Sequence, residues 1–160
     1  MLFRSAGDAA RRTFAEAVGE YDRVLQAVPD SIEAANNKAW ILHTYLKKSR
    51  EALELALGLQ KRAVPTALPS EFFDTLGAIQ ESVGQTRDAE ASYLEGLKKD
   101  PKNPALNFHY GKLLTADPDR ATKAKSHLTR ALADRGRLSP TMALEADQLV
   151  AGLSSRINGN

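Results

Sequence analysis

The chain has no cysteine, so neither a disulfide framework nor thiolate chemistry can organise it. Aromatic residues make up only 6%, with a single tryptophan, against 42% hydrophobic residues in total. A sheet needs more aromatic and β-branched side chains than this; a chain rich in Ala and Leu favours helices. No apolar run approaches the roughly 18 residues of a membrane span, and the opening MLFRSAGDAARR lacks the apolar core of a signal peptide. The expectation is a cytoplasmic protein if the chain is complete, or a periplasmic one if it is a piece of a larger protein. An excess of charge of one sign is also lacking: Lys and Arg number 22 against 20 Asp and Glu, a net charge of +2. That argues against a dedicated nucleic-acid binder, which needs many phosphate contacts.

Chemistry-bearing patterns are missing too. There is no G-x-G-x-x-G, Walker loop, G-x-S-x-G, S-x-x-K or H-E-x-x-H. The three histidines, His43, His109 and His127, stand at unrelated positions without zinc-ligand spacing. The expectation is no enzyme, no metal and no cofactor.

What is present is a period. Ser70–Asn103 is a 34-residue unit of two short helices. Phe73, Leu76 and Ile79 recur at helical spacing, with Gly77 beside Leu76. After a Gly84-Gln85 break, Ala89, Tyr93 and Gly96 share one face of a second helix, which Pro101 stops. Small residues at Gly77 and Ala89 let the two helices approach, leaving Tyr93 and Gly96 to meet the next unit. The flanks carry weaker copies. Upstream, Ala39 takes the Gly77 place, and Ala52, Ala56 and Leu59 follow after a turn at Lys47-Lys48-Ser49 that is one residue longer. Downstream, Gly111 takes that place, with Ala124, Leu128 and Ala131 after another turn lengthened by one residue.

The predicted helices are therefore 8–27, then the pairs 31–46 with 50–63, 69–83 with 86–99, and 104–115 with 118–134. A last helix follows over 139–154, with Ser139 as N-cap and Pro140 as first residue. Met142, Ala146, Leu149, Val150 and Leu153 give that helix an apolar face, and Glu145, Asp147 and Gln148 a polar one. Residues 1–7 and the tail from Ser154 read as ragged or frayed.

Phe73, Leu76-Gly77, Ala89, Tyr93 and Pro101 resemble the tetratricopeptide repeat, the TPR, over roughly residues 10–133. Gln80 and Gly96 depart from its pattern. The resemblance implies an all-α fold: a right-handed superhelix of antiparallel helix pairs with a C-terminal capping helix. It would form a single domain divided into a half repeat (8–29), three repeats (30–64, 70–103, 104–137) and a cap (139–154). The wording of the inner units (NNKAW, FFDTLG, NFHYGKLL) is also similar to bacterial TPR proteins, some of which accompany exopolysaccharide export.

The resemblance further implies a groove, lined by the first helices of successive pairs, that holds a partner peptide or helix. Carried over position by position, its walls are Glu33, Asn36, Asn37, Trp40 and His43, then Glu71, Asp74, Ala78 and Glu81, then Phe108 and Lys112. Trp40 and Phe108 would be aromatic anchors, or else core. Glu71, Asp74 and Glu81 would give an acidic centre attractive to Lys or Arg, or else a solvated face. The basic clamp that holds chaperone C-terminal carboxylates is absent: its places fall on Asn36, Trp40, Thr75, Ala105 and His109.

Two further surfaces compete. Arg120, Lys123, His127 and Arg130 fall at i, i+3, i+7 and i+10, a basic stripe that is either solvated or turned to a phosphate, a nucleic acid or an acidic partner. The apolar side of the first helix, with Phe14 and Tyr21, lacks a preceding partner helix. It suggests homo-oligomerisation or a longer array.

Overall fold

The computed structural model describes residues 2–158, with side chains described over residues 9–157. Among these residues there are eight α-helices and no strand: α1 (Leu2–Ala27), α2 (Ile32–Thr44), α3 (Ser49–Arg62), α4 (Ser70–Ser82), α5 (Thr86–Lys99), α6 (Pro104–Leu114), α7 (Ala121–Leu132) and α8 (Pro140–Asn158). Short 3-10 turns lie at Pro65–Ala67, Pro118–Arg120 and Arg135–Arg137. Two expectations need correcting. The first helix begins at Leu2, not near Asp8, and the last runs to Asn158 without fraying at Ser154. The described hydroxyls of that tail, Ser154 and Ser155, bond back to the carbonyls of Val150 and Ala151 and leave the helix intact. Met1, Gly159 and Asn160 lie outside the described residues.

The chain forms two compact units, Met1–Leu68 with Ala78–Thr86, and Pro69–Gly77 with Arg87–Asn160; the division falls within α4. In the first unit α2 pairs with α3, and α1 packs on α2. Ala34, Ala35, Ala39, Leu42, Ala52, Ala56 and Leu59 are buried there. Ala residues at the meeting faces let backbones approach, the role read from the sequence for Ala39 and Ala52. No described side chain of α1 is fully buried. The Phe14 ring stacks on Tyr45 at 3.8 Å, and Asp22 accepts a hydrogen bond from Lys38 Nζ at 2.5 Å.

The second unit holds the larger core, formed by Tyr93, Leu106, Phe108, Tyr110, Leu114, Leu128, Ala146 and Leu153 with their neighbours. Its helices meet through small residues. A Cβ added at Gly77 would sit 2.4 Å from Tyr93 Cε1. One added at Gly96 would sit 2.8 Å from Leu106 Cδ1 and 3.1 Å from Phe73 Cβ. The place of Gly77 is taken by Gly111 in the next pair, where an added Cβ would meet Leu128 Cγ at 2.8 Å and Leu128 N at 3.0 Å. The glycines are therefore required by close approach of helix to helix.

Helix ends follow local chemistry. Ser31, Asn103 and Ser139 accept from the backbone N–H three residues on, and Asp117 from that of Asp119. Pro104, Pro118 and Pro140 start their helices or turns, where the missing N–H costs nothing. Gly84 ends α4 at φ +83°. In the longer α2–α3 turn the left-handed residue is Lys47, at φ +58°, whose Nζ donates to Thr44 O at 2.7 Å.

Candidate functional site

The side chains carried over from the repeat pattern fall in both units. In the first, α2 places Glu33 exposed and Asn36, Asn37, Trp40 and His43 half-buried. The Trp40 ring lies 6.1 Å from the His43 ring at 57°. His43 Nδ1 is 3.0 Å from Ser49 Oγ and 3.4 Å from Ser82 Oγ, which holds the imidazole between α3 and the end of α4. Asn36 Oδ1 is buried without a hydrogen-bond partner in the structure. Ala78 and Glu81, on the end of α4, are half-buried.

In the second unit Glu71 is exposed and accepts from Ser70 Oγ at 3.1 Å. Asp74 is half-buried, its Oδ1 2.7 Å from His109 Nδ1. The His109 ring in turn stacks on Tyr93 at 6.0 Å and meets Phe108 edge-on at 5.2 Å. Asp74 is thus tied to α6 rather than presented as a bare carboxylate. Glu81, the third acidic residue expected at the same centre, belongs to the other unit. Lys112 is exposed, lies 2.7 Å from Glu145 of α8 and sits over the Phe108 ring at 5.9 Å.

Phe108 itself is a correction. It is 2% exposed and belongs to the core, so it is packing and not an anchor for a partner. The i, i+4 neighbour Lys112 covers what remains of the ring.

The basic stripe is a second correction. Arg120 and His127 are half-buried and Lys123 and Arg130 exposed, and all four make contacts to α5 or α6. Arg120 Nη1 donates to Glu90 Oε1 at 2.6 Å, and that bond raises the guanidinium pKa further. Lys123 Nζ donates to Tyr110 Oη at 2.8 Å and lies over the same ring at 5.1 Å. Tyr110 Oη donates to Glu90 Oε1 at 3.2 Å. His127 Nδ1 is 2.9 Å from Asn107 Oδ1, and Arg130 Nη1 reaches the same oxygen at 3.4 Å. The stripe is the rim of a hydrogen-bonded network that fastens α7 to α6.

The hub of that network, Asn107, is fully buried and was not singled out from the sequence. Its Nδ2 donates to Pro101 O at 3.0 Å and Asn103 O at 2.9 Å, which completes the turn between α5 and α6. Asn103 Nδ2 continues the chain to Ser70 Oγ at 3.3 Å. The available signal was a polar residue four places after the Asn103 cap, on the apolar side of α6.

Among the described residues no cluster of His, Asp or Glu could hold a metal ion, and no helix is long and apolar enough to cross a membrane.

No protein-family model matches the chain, and no curated protein matches it either. Solved structures do share its fold, and they are TPR-like helical-repeat proteins. The translocator chaperone SycD of the Yersinia enterocolitica type III secretion system superimposes with a TM-score of 0.67, at 21% identity over 81% of this chain and 88% of that one. PcrH, solved with the chaperone binding region of PopD, gives 0.64 at 21% identity, over 80% and 94%. The RS-1 MamA double mutant gives 0.62 at 21% identity, over 76% of this chain and 65% of that one. The chain thus spans just under two thirds of that MamA's length.

Proposed function

We propose that this chain is a TPR-type scaffold that binds a peptide or helix of a protein partner on the exposed faces of its first helices, without chemistry. The reading rests chiefly on one observation: the fold is that of PcrH, which was solved holding a segment of PopD. The residues support it. On α2, Asn36, Trp40 and His43 combine an amide, a half-buried indole and an imidazole on one helix face. Such a surface offers apolar contact area and hydrogen bonds together, the composition of binding hot spots. Lys112 and Glu71 are the corresponding exposed charges of the second unit.

The test is selection of binders from a displayed peptide library, followed by calorimetry on folded variants. Trp40→Ala weakens a selected peptide at least tenfold, a change of about 1.4 kcal/mol. Leu144→Ala, on the outer side of α8, leaves it unchanged. The reverse pattern refutes the assignment of the α2 face.

A second reading has its own observation. On and just after α1, Val24 is 43% and Val28 55% exposed. This apolar edge suits self-association of two copies through the N-terminal helix. Light scattering over a concentration series decides: association predicts a mass above the monomer that Tyr21→Glu abolishes, and a constant monomer mass excludes it.

A further inference from the structure

The second helices of two successive pairs, α5 and α7, border a notch of about 420 Å³ lined by Ala91, Leu94, Leu97, His127 and the stems of Glu95 and Lys98. Its walls are mainly apolar, and Leu94 is 37% exposed. The one polar group without a partner in this setting is on His127, and the hydrogen bonds around it fix its state.

Asn107 Nδ2 faces two carbonyls, Pro101 O and Asn103 O, so the amide orientation is determined. Its Oδ1 must then accept, and His127 Nδ1 must carry the proton that it donates at 2.9 Å. The imidazole is neutral near neutral pH, because burial, then the neighbouring Arg130 and Lys123, push it down to about 4. The groups around it are those two cations on α7, Asn107 and Tyr110 on α6, and the Glu95–Lys98 pair on α5. Nε2, on the ring edge away from Asn107, is therefore a bare acceptor. It has no partner among the described residues and is not one of the sealed polar atoms, which are Asn36 Oδ1, Thr44 Oγ1 and Arg120 Nε.

We infer that this notch receives the indole of a tryptophan on a protein partner, its N–H donating to His127 Nε2 and its rings lying on Leu94 and Leu97. An indole N–H only donates, matching an acceptor in an otherwise apolar wall. A phenol O–H would also donate to Nε2, but it would set oxygen lone pairs against the apolar wall of Leu94 and Leu97. Tryptophan is also the side chain most enriched at binding hot spots. The site uses neither α2 nor α4, so it stands or falls apart from the first-helix reading.

The test uses two isomers of equal size, 3-methylindole, which keeps the N–H, and 1-methylindole, which lacks it. Both are titrated at pH 7.5 while the Leu94 and Leu97 methyl and His127 ring resonances are followed by NMR. The expected result is saturable shifts with 3-methylindole, half-saturation at least fivefold higher with 1-methylindole, and loss of both in Leu94→Asp. That substitution sits at an exposed position and leaves the fold intact. Equal binding of the isomers overturns the hydrogen bond to Nε2. Tighter binding of p-cresol overturns the choice of indole. The absence of shifts, or shifts that survive Leu94→Asp, overturns the notch as a site.

Discussion

Replacing Gly77 by alanine isolates the contact that sets the spacing of α4 and α5. In a helix interior, Gly→Ala ordinarily stabilises by about 1 kcal/mol. Here the new methyl would lie 2.4, 2.6 and 2.9 Å from Tyr93 Cε1, Cδ1 and Cζ, where carbon atoms pack best at roughly 3.5–4.0 Å. The ring would have to move by about 1 Å. It has nowhere to go: Tyr93 is fully buried and stacked on His109. Overpacking of this kind costs roughly 1–3 kcal/mol, and a displacement this large belongs at the upper end. The net expectation is a loss of about 2 kcal/mol, which lowers the urea midpoint by about 1 M at a typical slope. Gly111→Ala should be at least as harmful, because backbone atoms of Leu128 and Ala124 stand at 3.0 and 3.2 Å and cannot rotate away. Gly152→Ala, on α8 with nothing within 4 Å, should raise the midpoint. Urea unfolding followed by circular dichroism gives the order. Tyr93→Leu in the Gly77→Ala background should recover part of the loss. A Gly77→Ala protein as stable as the parent would refute the close-packing argument.

Other outcomes follow from the polar network and the turns. His127 has a folded pKa depressed from 6.5 to about 4, so between those values the unfolded chain binds more protons. Its contribution is intact above pH 6.5 and falls by roughly 1–2 kcal/mol as pH drops to 4, solvent at the open Nε2 screening part of the shift; His127→Gln should flatten that slope in urea titrations run across the window. Asn107→Leu should cost about 2–4 kcal/mol, because it strands buried groups on α7 and in the turn before α6; thermal unfolding measures it. Lys47→Gly should stabilise by up to about 1 kcal/mol, since glycine takes a φ of +58° without the Cβ clash, and a lowered midpoint would count against that.

The repeat was legible because it is written in size. Gly77, Ala89, Tyr93 and Gly96 alternate small and large at helical spacing, and steric fit at close range allows few substitutes. The alignment of Gly111 with Gly77 was legible despite the lengthened turn, and the structure sets Gly111 against Leu128. The cap at Ser139 was legible for a local reason: a side chain three residues from its donor needs no tertiary context. Side-chain direction was not. Arg120, Lys123, His127 and Arg130 form a row on any helical projection. Whether the row meets water or α6 depends on Asn107 and Tyr110, which become neighbours only once the helices pack. Phe108 was ambiguous for the same reason, being one position of a helix with apolar residues on nearly every side. Asp74 and His109 are far apart in sequence, and only the fold brings them to 2.7 Å.

The most direct measurement of partner binding uses the chain's own reporter, Trp40, its only tryptophan, half-buried on the proposed face. A selected peptide lacking tryptophan is titrated while Trp40 emission is recorded. The account predicts a saturable shift to shorter wavelength, with the dissociation constant that calorimetry gives. Calorimetric binding through saturation with Trp40 emission unchanged would contradict it.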